Sequence, residues 1–239
     1  MNERVVLGTM IRSRINSLIV ELLKVPSYKE TVADNLAHAC HPDLTLDVLD
    51  IGGAGGKLWL DLKCSCIKLT IIDPWVPQEG FEDPADFRLV GTFQEISKDL
   101  KAKSFDLVLA MDVIEHLAEA DGYLLLYEMT RLSQNKISIY TPNGFLWQPP
   151  SGNNSFNAHI SGWSVRKLKR FGFSEFRGHV GLRIFWGPYS VPKYSYESRK
   201  FVLASLVGNA LIKLFPSLAF ALSASVDTKK FPIISDQGI

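Results

Sequence analysis

The chain is short of cysteine, of net charge and of any long clean hydrophobic run, and each shortage removes a class of protein. Three cysteines, Cys40, Cys64 and Cys66, cannot supply a disulfide framework, and so sparse and odd a set suits a reducing compartment. Cys64 and Cys66 form a CxC pair with no second Cys/His pair of ligand spacing, so no zinc site is read and no metal is expected. Against 25 acidic residues, 26 basic ones leave a formal charge of +1, which gives no field to hold a nucleic acid backbone. The most apolar segment, 201–226, is divided by Lys213 and Pro216 and diluted by Asn209 and several serines. Neither half reaches the roughly 20 apolar residues of a membrane span, which leaves only a weak peripheral membrane contact open. The opening run MNERVVLGTMIRSR breaks its apolar residues with arginines and lacks a small-residue cleavage site. No secretory signal is read from it, and the cytoplasm is the expected location.

Two nucleotide signatures are missing as well, and their absence is informative because of where they fail. The stretch Asp47 to Gly56 reads DVLDIGGAGG, an apolar strand running into a loop almost stripped of side chains. Such a loop, placed before a helix, turns free backbone N–H groups and the positive end of the helix dipole towards a ligand. A dinucleotide fingerprint beginning at Gly53 finds Gly55 and then Leu58 where its last glycine belongs, and Lys57 is followed by Leu58 rather than the Ser or Thr of a phosphate-binding loop. What the stretch does have is Asp50 just before the glycines and Asp73 at the end of the next strand. A carboxylate in that second place accepts hydrogen bonds from ribose hydroxyls, and Asp50 and Asp112 add negative charge that suits a ligand's cation.

With 46% apolar residues the chain can bury one sizeable core, and a single domain over 1–239 is expected. Ile11, Ile15, Leu18, Ile19, Leu22 and Leu23 mark an amphipathic helix over 5–25, ended by Pro26. It packs on the domain or, in the alternative reading kept open by Arg4, Arg12 and Arg14, lies on a membrane surface. A second helix follows to Cys40. Strands are expected over 48–51, 67–72, 87–90, 105–111 and 136–140, with helices over 57–62, 94–100 and 113–132 between them. Alternation of this kind, with wholly apolar strands, means a parallel sheet covered on both faces. Ligands of such sheets bind beyond the carboxyl ends of the strands where the order reverses, which gathers 52–56, 73–75, 91–93 and 111–116. Further on, a polar loop over 145–161, a helix over 163–171, a strand over 174–184, a helix to Phe215 and a last strand over 218–227 are expected.

DIGGAGG, then Asp73, then FDLVLAMDVIEHL, then YTPNG resemble, in order and at workable spacing, the successive motifs of class I S-adenosylmethionine-dependent methyltransferases, in the broad group that includes the ubiquinone-biosynthesis O-methyltransferases. The likeness covers about 44–144 and continues more weakly through HISGW and KRFGF. It implies a Rossmann-like α/β fold: a seven-stranded, mainly parallel sheet with an antiparallel last strand and helices on both faces. The chain then divides into an N-terminal helical cap (1–43), a cofactor-binding half (44–144) and an acceptor-side half (145–239). The resemblance also implies S-adenosyl-L-methionine as cofactor. Gly52, Gly53 and Gly56 would line its methionine part, with Asp50 ordering the loop, Asp73 holding the ribose, Pro74 and Trp75 near the adenine, and Met111 and Asp112 meeting the amino group. Two departures stand out. The middle glycine of the family's DxGxGxG is Ala54, a change compatible with negative φ, and an acid common after the third strand is replaced by Gly91, Thr92 and Phe93, which leaves adenine recognition to backbone groups and Phe93.

Transfer of a methyl group from a sulfonium is an in-line displacement that needs positioning and exclusion of water. A hydroxyl acceptor also needs a base, for which His116 and His159 are the candidates and His179 a weaker one. Bland alternatives exist: Asp50 as a turn anchor, Asp73 as a turn former before Pro74, Glu115 and His116 as first-turn helix residues, and a loop histidine as a structural hydrogen-bonding group. Trp147, Phe156 and Trp163 among Asn and Gln residues suit a sugar or another small molecule bearing hydroxyls, with a lipid-like quinone precursor as the rival acceptor. Arg166, Lys167, Lys169 and Arg170 read as a solvated helix face. A catalytically silent, cofactor-binding partner subunit is the remaining alternative.

Overall fold

A computed structural model describes residues 27–39, 44–62, 66–150, 155–186 and 199–230. The helix expected over 5–25, Cys40 and Cys64 lie outside the described residues. Within them the order is α1 (Tyr28–Ala39), β1 (Leu46–Ile51), α2 (Lys57–Leu62), β2 (Ile67–Asp73), β3 (Phe87–Val90), α3 (Phe93–Ile96), β4 (Phe105–Met111), α4 (Glu119–Leu132), β5 (Ser133–Pro142), α5 (Val165–Phe171), β6 (Glu175–Leu182), α6 (Arg199–Leu214) and β7 (Ala219–Asp227).

The strands form one seven-stranded sheet in the order β3-β2-β1-β4-β5-β7-β6. β1 pairs in parallel with both β2 and β4, so the chain runs outward in one direction from β1 and then restarts on its other side. β7 lies antiparallel between β5 and β6. Alternation along the strands sends successive side chains to opposite faces. Leu49, Ile51, Val108, Ala110, Ile137 and Ile139 join one core with Leu125, Leu126 and Met129 of α4 and with Trp163 and Leu168. Leu46, Val48, Leu69, Ile71, Leu107 and Leu109 join the other with Val32 and Leu36 of α1 and with Leu58 and Trp59 of α2. Burial on both faces is why the strands read as continuous apolar runs.

The expected long helix over 113–132 is broken. Ile114–His116 is a single 3-10 turn, Leu117 and Ala118 are extended, and α4 begins at Glu119. The break lies at Leu117 and Ala118, whose ψ angles of 150 and 152 open the backbone before α4, and the turn itself is entered through Asp112 at φ 55, a left-handed conformation. Among the described residues no helix is long and apolar enough to cross a membrane.

Candidate functional site

β1 ends on a turn whose shape only glycine allows. Gly52 has φ +78, and a Cβ there would stand 2.4 Å from Cγ2 of Val113, so both backbone angle and space require hydrogen. Gly53 lies over Asp50, whose Oδ2 would be 2.6 Å from a Cβ at that position. Gly56 closes the loop by accepting the N–H groups of Trp59 and Leu60 at the start of α2. Ala54 has φ 41, so the expectation of negative φ is corrected: the alanine occupies a left-handed position that favours glycine.

Two aspartates hold this loop from below and from the side. Asp50 is buried at the end of β1 and accepts the indole N–H of Trp59 at 2.7 Å. Burial pushes its carboxyl up to about 7, against the Trp59 hydrogen bond, which favours the charged form. Asp73, at the end of β2, accepts the Ala54 N–H at 2.8 Å through Oδ2 and the Trp75 N–H at 2.7 Å through Oδ1. Each oxygen keeps a second lone pair for a ligand hydroxyl. The turn-former reading of Asp73 is therefore met, and so is a link to the glycine loop that a turn alone does not need.

Sequence reasoning missed Arg88 on β3. It donates to the Ala54 carbonyl at 2.7 Å, forms an ion pair with Asp83, and lies over the Trp75 ring at 5.5 Å. Trp75 stands edge-on to Phe81, with Gly55 against both rings. This aromatic wall flanks the loop where the adenine was expected, with Pro74 exposed beside it. Phe93 does not join it. Its side chain turns into the core, and the residue facing solvent there is Thr92, whose hydroxyl and backbone N–H bond Glu95 in a capping box.

At the end of β4, Met111 packs on the α1-side core, and Asp112 leads into the turn of Glu115 and His116. Glu115, a first-turn helix residue in the bland sequence reading, sits in that 3-10 turn but is buried. It is 2% exposed, Oε2 accepts the Thr141 hydroxyl at 3.0 Å, and Oε1 has no hydrogen-bond partner. Burial raises its carboxyl well above the ordinary range and raises that of Asp112 to about 6. The two histidine rings meet edge to face at 4.8 Å. His116 Nδ1 lies 3.0 Å from the Ala158 carbonyl and His159 Nδ1 2.9 Å from the Leu146 carbonyl. A carbonyl only accepts, so each Nδ1 carries the proton and each neutral ring keeps its lone pair on Nε2. Burial lowers the pKa of both rings, which keeps them neutral. Ligand atoms of Glu115, His116 and His159 lie within 4.8 Å of one another, a donor set that can share a proton or hold a divalent cation.

Other candidates fall elsewhere. His179 is buried on β6 against the Ser223 hydroxyl at 2.8 Å. Trp163, expected to face an acceptor, is wholly buried, with its indole N–H on the Ile114 carbonyl and the Ser161 hydroxyl. Lys167 pairs with Glu119, and the rest of the basic α5 cluster is exposed.

No protein-family model matches this chain, nor does any curated protein sequence. Solved structures do match in fold. A SAM-dependent methyltransferase from Archaeoglobus fulgidus superposes with a TM-score of 0.50 at 17% identity, over 83% of this chain and 94% of that one. A putative sarcosine dimethylglycine methyltransferase from Galdieria sulphuraria gives a TM-score of 0.50 at 15% identity, over 84% and 85%. The fold is thus the Rossmann-like fold of SAM-dependent methyltransferases.

Proposed function

We propose that the protein is a class I methyltransferase that binds S-adenosyl-L-methionine and transfers its methyl group to a hydroxyl of a small molecule or glycan. The observation that carries this reading is the site at the β1/β4 switch point. There a glycine loop tied to Asp73 lies beside Asp50 and Asp112, whose burial raises their pKa values and favours a cationic ligand that restores their charge. A sulfonium cofactor with an ammonium group supplies that charge, and a pyrophosphate would oppose it. In this reading Gly52, Gly53 and Gly56 line the methionine part, Asp73 takes the ribose, Pro74, Trp75 and Thr92 bound the adenine while Phe93 supports that corner from the core, and Met111 and Asp112 take the amino group. The cofactor supplies the transferable methyl; the chain positions it and removes the acceptor's proton.

Nε2 of His159 or His116 is the base, held in the correct tautomer by the Leu146 and Ala158 carbonyls. A lipid-like quinone precursor, which would place the chain nearer the ubiquinone-biosynthesis group, is the rival acceptor, and the apolar α6 supports it. The cytoplasm is the proposed location. The test is calorimetry with S-adenosylhomocysteine and with NAD, followed by methyl-transfer assays on hydroxyl compounds. Micromolar binding of S-adenosylhomocysteine is expected, and NAD binding in its place would sink the proposal. His159→Gln or His116→Gln should lower kcat by about a hundredfold or more while leaving cofactor affinity intact. EDTA assigns the trio with Glu115: activity that survives chelation makes it a proton relay, and activity lost and restored by a divalent ion makes it a cation site.

A further inference from the structure

Past the end of β5, the described residues frame an open cavity of about 660 Å³, within the size of small-molecule sites. Its walls are Phe145, Leu146, Trp147, Trp186 and Phe220, and it has one charged lining group, Arg183. The Trp186 and Phe220 rings are 4.9 Å apart and tilted by 35°, a broad apolar face for a flat molecule. The floor is fixed by Asn143, whose side-chain amide donates to the carbonyls of Ser217 and Ala219 and so ties the end of β5 to the start of β7.

Arg183 is positioned rather than free. One of its five N–H groups donates to the Phe145 carbonyl at 2.9 Å, and Nη1 lies 2.5 Å from where a Cβ of residue 144 would stand. Gly144 therefore leaves the space that Nη1 of the guanidinium takes beside the backbone. No carboxylate pairs with Arg183 among the described residues, although seven other ion pairs are formed there. No acid lines the cavity. An exposed permanent cation that shares a lining with aromatic side chains and has donors to spare is matched by a carboxylate or phosphate, which guanidinium binds through two parallel hydrogen bonds. The cavity also adjoins the histidine pair, since Leu146 lines it and accepts the proton of His159 Nδ1.

We infer that this cavity is the acceptor subsite and that it selects an anionic acceptor, with a flat apolar face against Trp147, Trp186 and Phe220 and a carboxylate or phosphate on Arg183. The inference rests on the methyltransferase reading and names its substrate class. The test is calorimetry on the full chain saturated with S-adenosylhomocysteine, using matched probes: caffeate against caffeamide, phenyl glucuronide against phenyl glucoside, and phenyl phosphate against phenol. In at least one pair the anion should bind tenfold or more tightly than its neutral partner, and the pair that responds tells carboxylate from phosphate and aromatic acid from sugar acid. Arg183→Gln should shrink that ratio to within twofold, Arg183→Lys should keep part of it, and Trp186→Ala should weaken both members of the pair alike. Equal binding of anion and neutral probe, a preference that survives Arg183→Gln, or no anion binding at millimolar concentration overturns the inference. Cofactor affinity, read on the same samples, separates the two failures: wild-type protein that does not bind S-adenosylhomocysteine brings down the methyltransferase reading itself, and a variant that still binds it is folded.

Discussion

At the β1–β4 end of the sheet carboxylates hold backbone, whereas beyond β5 aromatic side chains line open space. Asp73 and Arg88 together engage both the N–H and the carbonyl of Ala54, and Asp50 supports Gly53 from beneath. The cavity past β5 has walls such as Trp147, about half of which is exposed, and a single charge. The first region is organised around backbone geometry, which suits a ligand of constant shape. The second is organised around side chains, which can change acceptor without disturbing the sheet. Substitutions on the two sides should therefore fail differently, through stability and cofactor binding on one and through selectivity on the other.

The largest expected effect concerns Asp50. Its carboxyl is raised by burial to about 7 in the folded chain, from about 3.9 when unfolded. The folded state thus holds a proton that the unfolded state has released between those values. Stability from this group is present below about pH 4 and is lost as pH rises through about 7. Asp50→Asn stays neutral throughout, so chemical denaturation of the cofactor-free protein should show the wild type losing on the order of 3–4 kcal/mol relative to the variant between pH 4 and 8. A pH-independent difference would show that Asp50 is charged when buried. Arg183→Gln, on the other side, should leave the pH dependence of stability unchanged.

Asp73 comes next. Asp73→Asn keeps size and one acceptor oxygen but removes the charge and puts an N–H₂ beside one of the two backbone donors that it accepts. Affinity for S-adenosylhomocysteine should fall at least tenfold, by loss of charge-assisted bonds to the loop and to the ligand. Affinity within twofold of wild type would reduce Asp73 to a turn residue and blur the contrast between the two regions.

The strands were legible because strongly apolar runs such as FDLVLAM admit few other readings: the strands Phe87–Val90 and Phe105–Met111 have the bounds that the pattern sets, as does the helix Lys57–Leu62. The glycine loop and Asp73 were legible because backbone geometry leaves a residue-type trace. Contacts between distant segments leave none. Arg88 reads as one more strand residue until β3 lies beside the loop, and Glu115 reads as a helix-start acid until the backbone opens at Leu117 and Ala118 and Thr141 meets its carboxylate. Trp163 misled for the opposite reason: an aromatic just past a polar loop suggests a ligand, yet Gly122 leaves the gap in α4 that its ring fills, 2.3 Å from where a Cβ would be.

The smallest effect is expected at Ala54, where the loop departs from the glycine pattern. A left-handed alanine costs roughly 1–2 kcal/mol, and the hydrogen bonds from Arg88 and to Asp73 hold it there. Ala54→Gly removes that cost but adds freedom to the unfolded chain worth about 0.4–1 kcal/mol. The balance should raise stability by about 0.5 kcal/mol, measured by urea denaturation, with cofactor affinity within twofold. If the variant is instead destabilised by that amount, the two hydrogen bonds alone do not set the angle, and the loop owes its shape to the Trp75–Phe81 wall packed against Gly55. In that case the cofactor side would depend on aromatic packing as the acceptor side does, and the contrast would narrow to the number of carboxylates each contains.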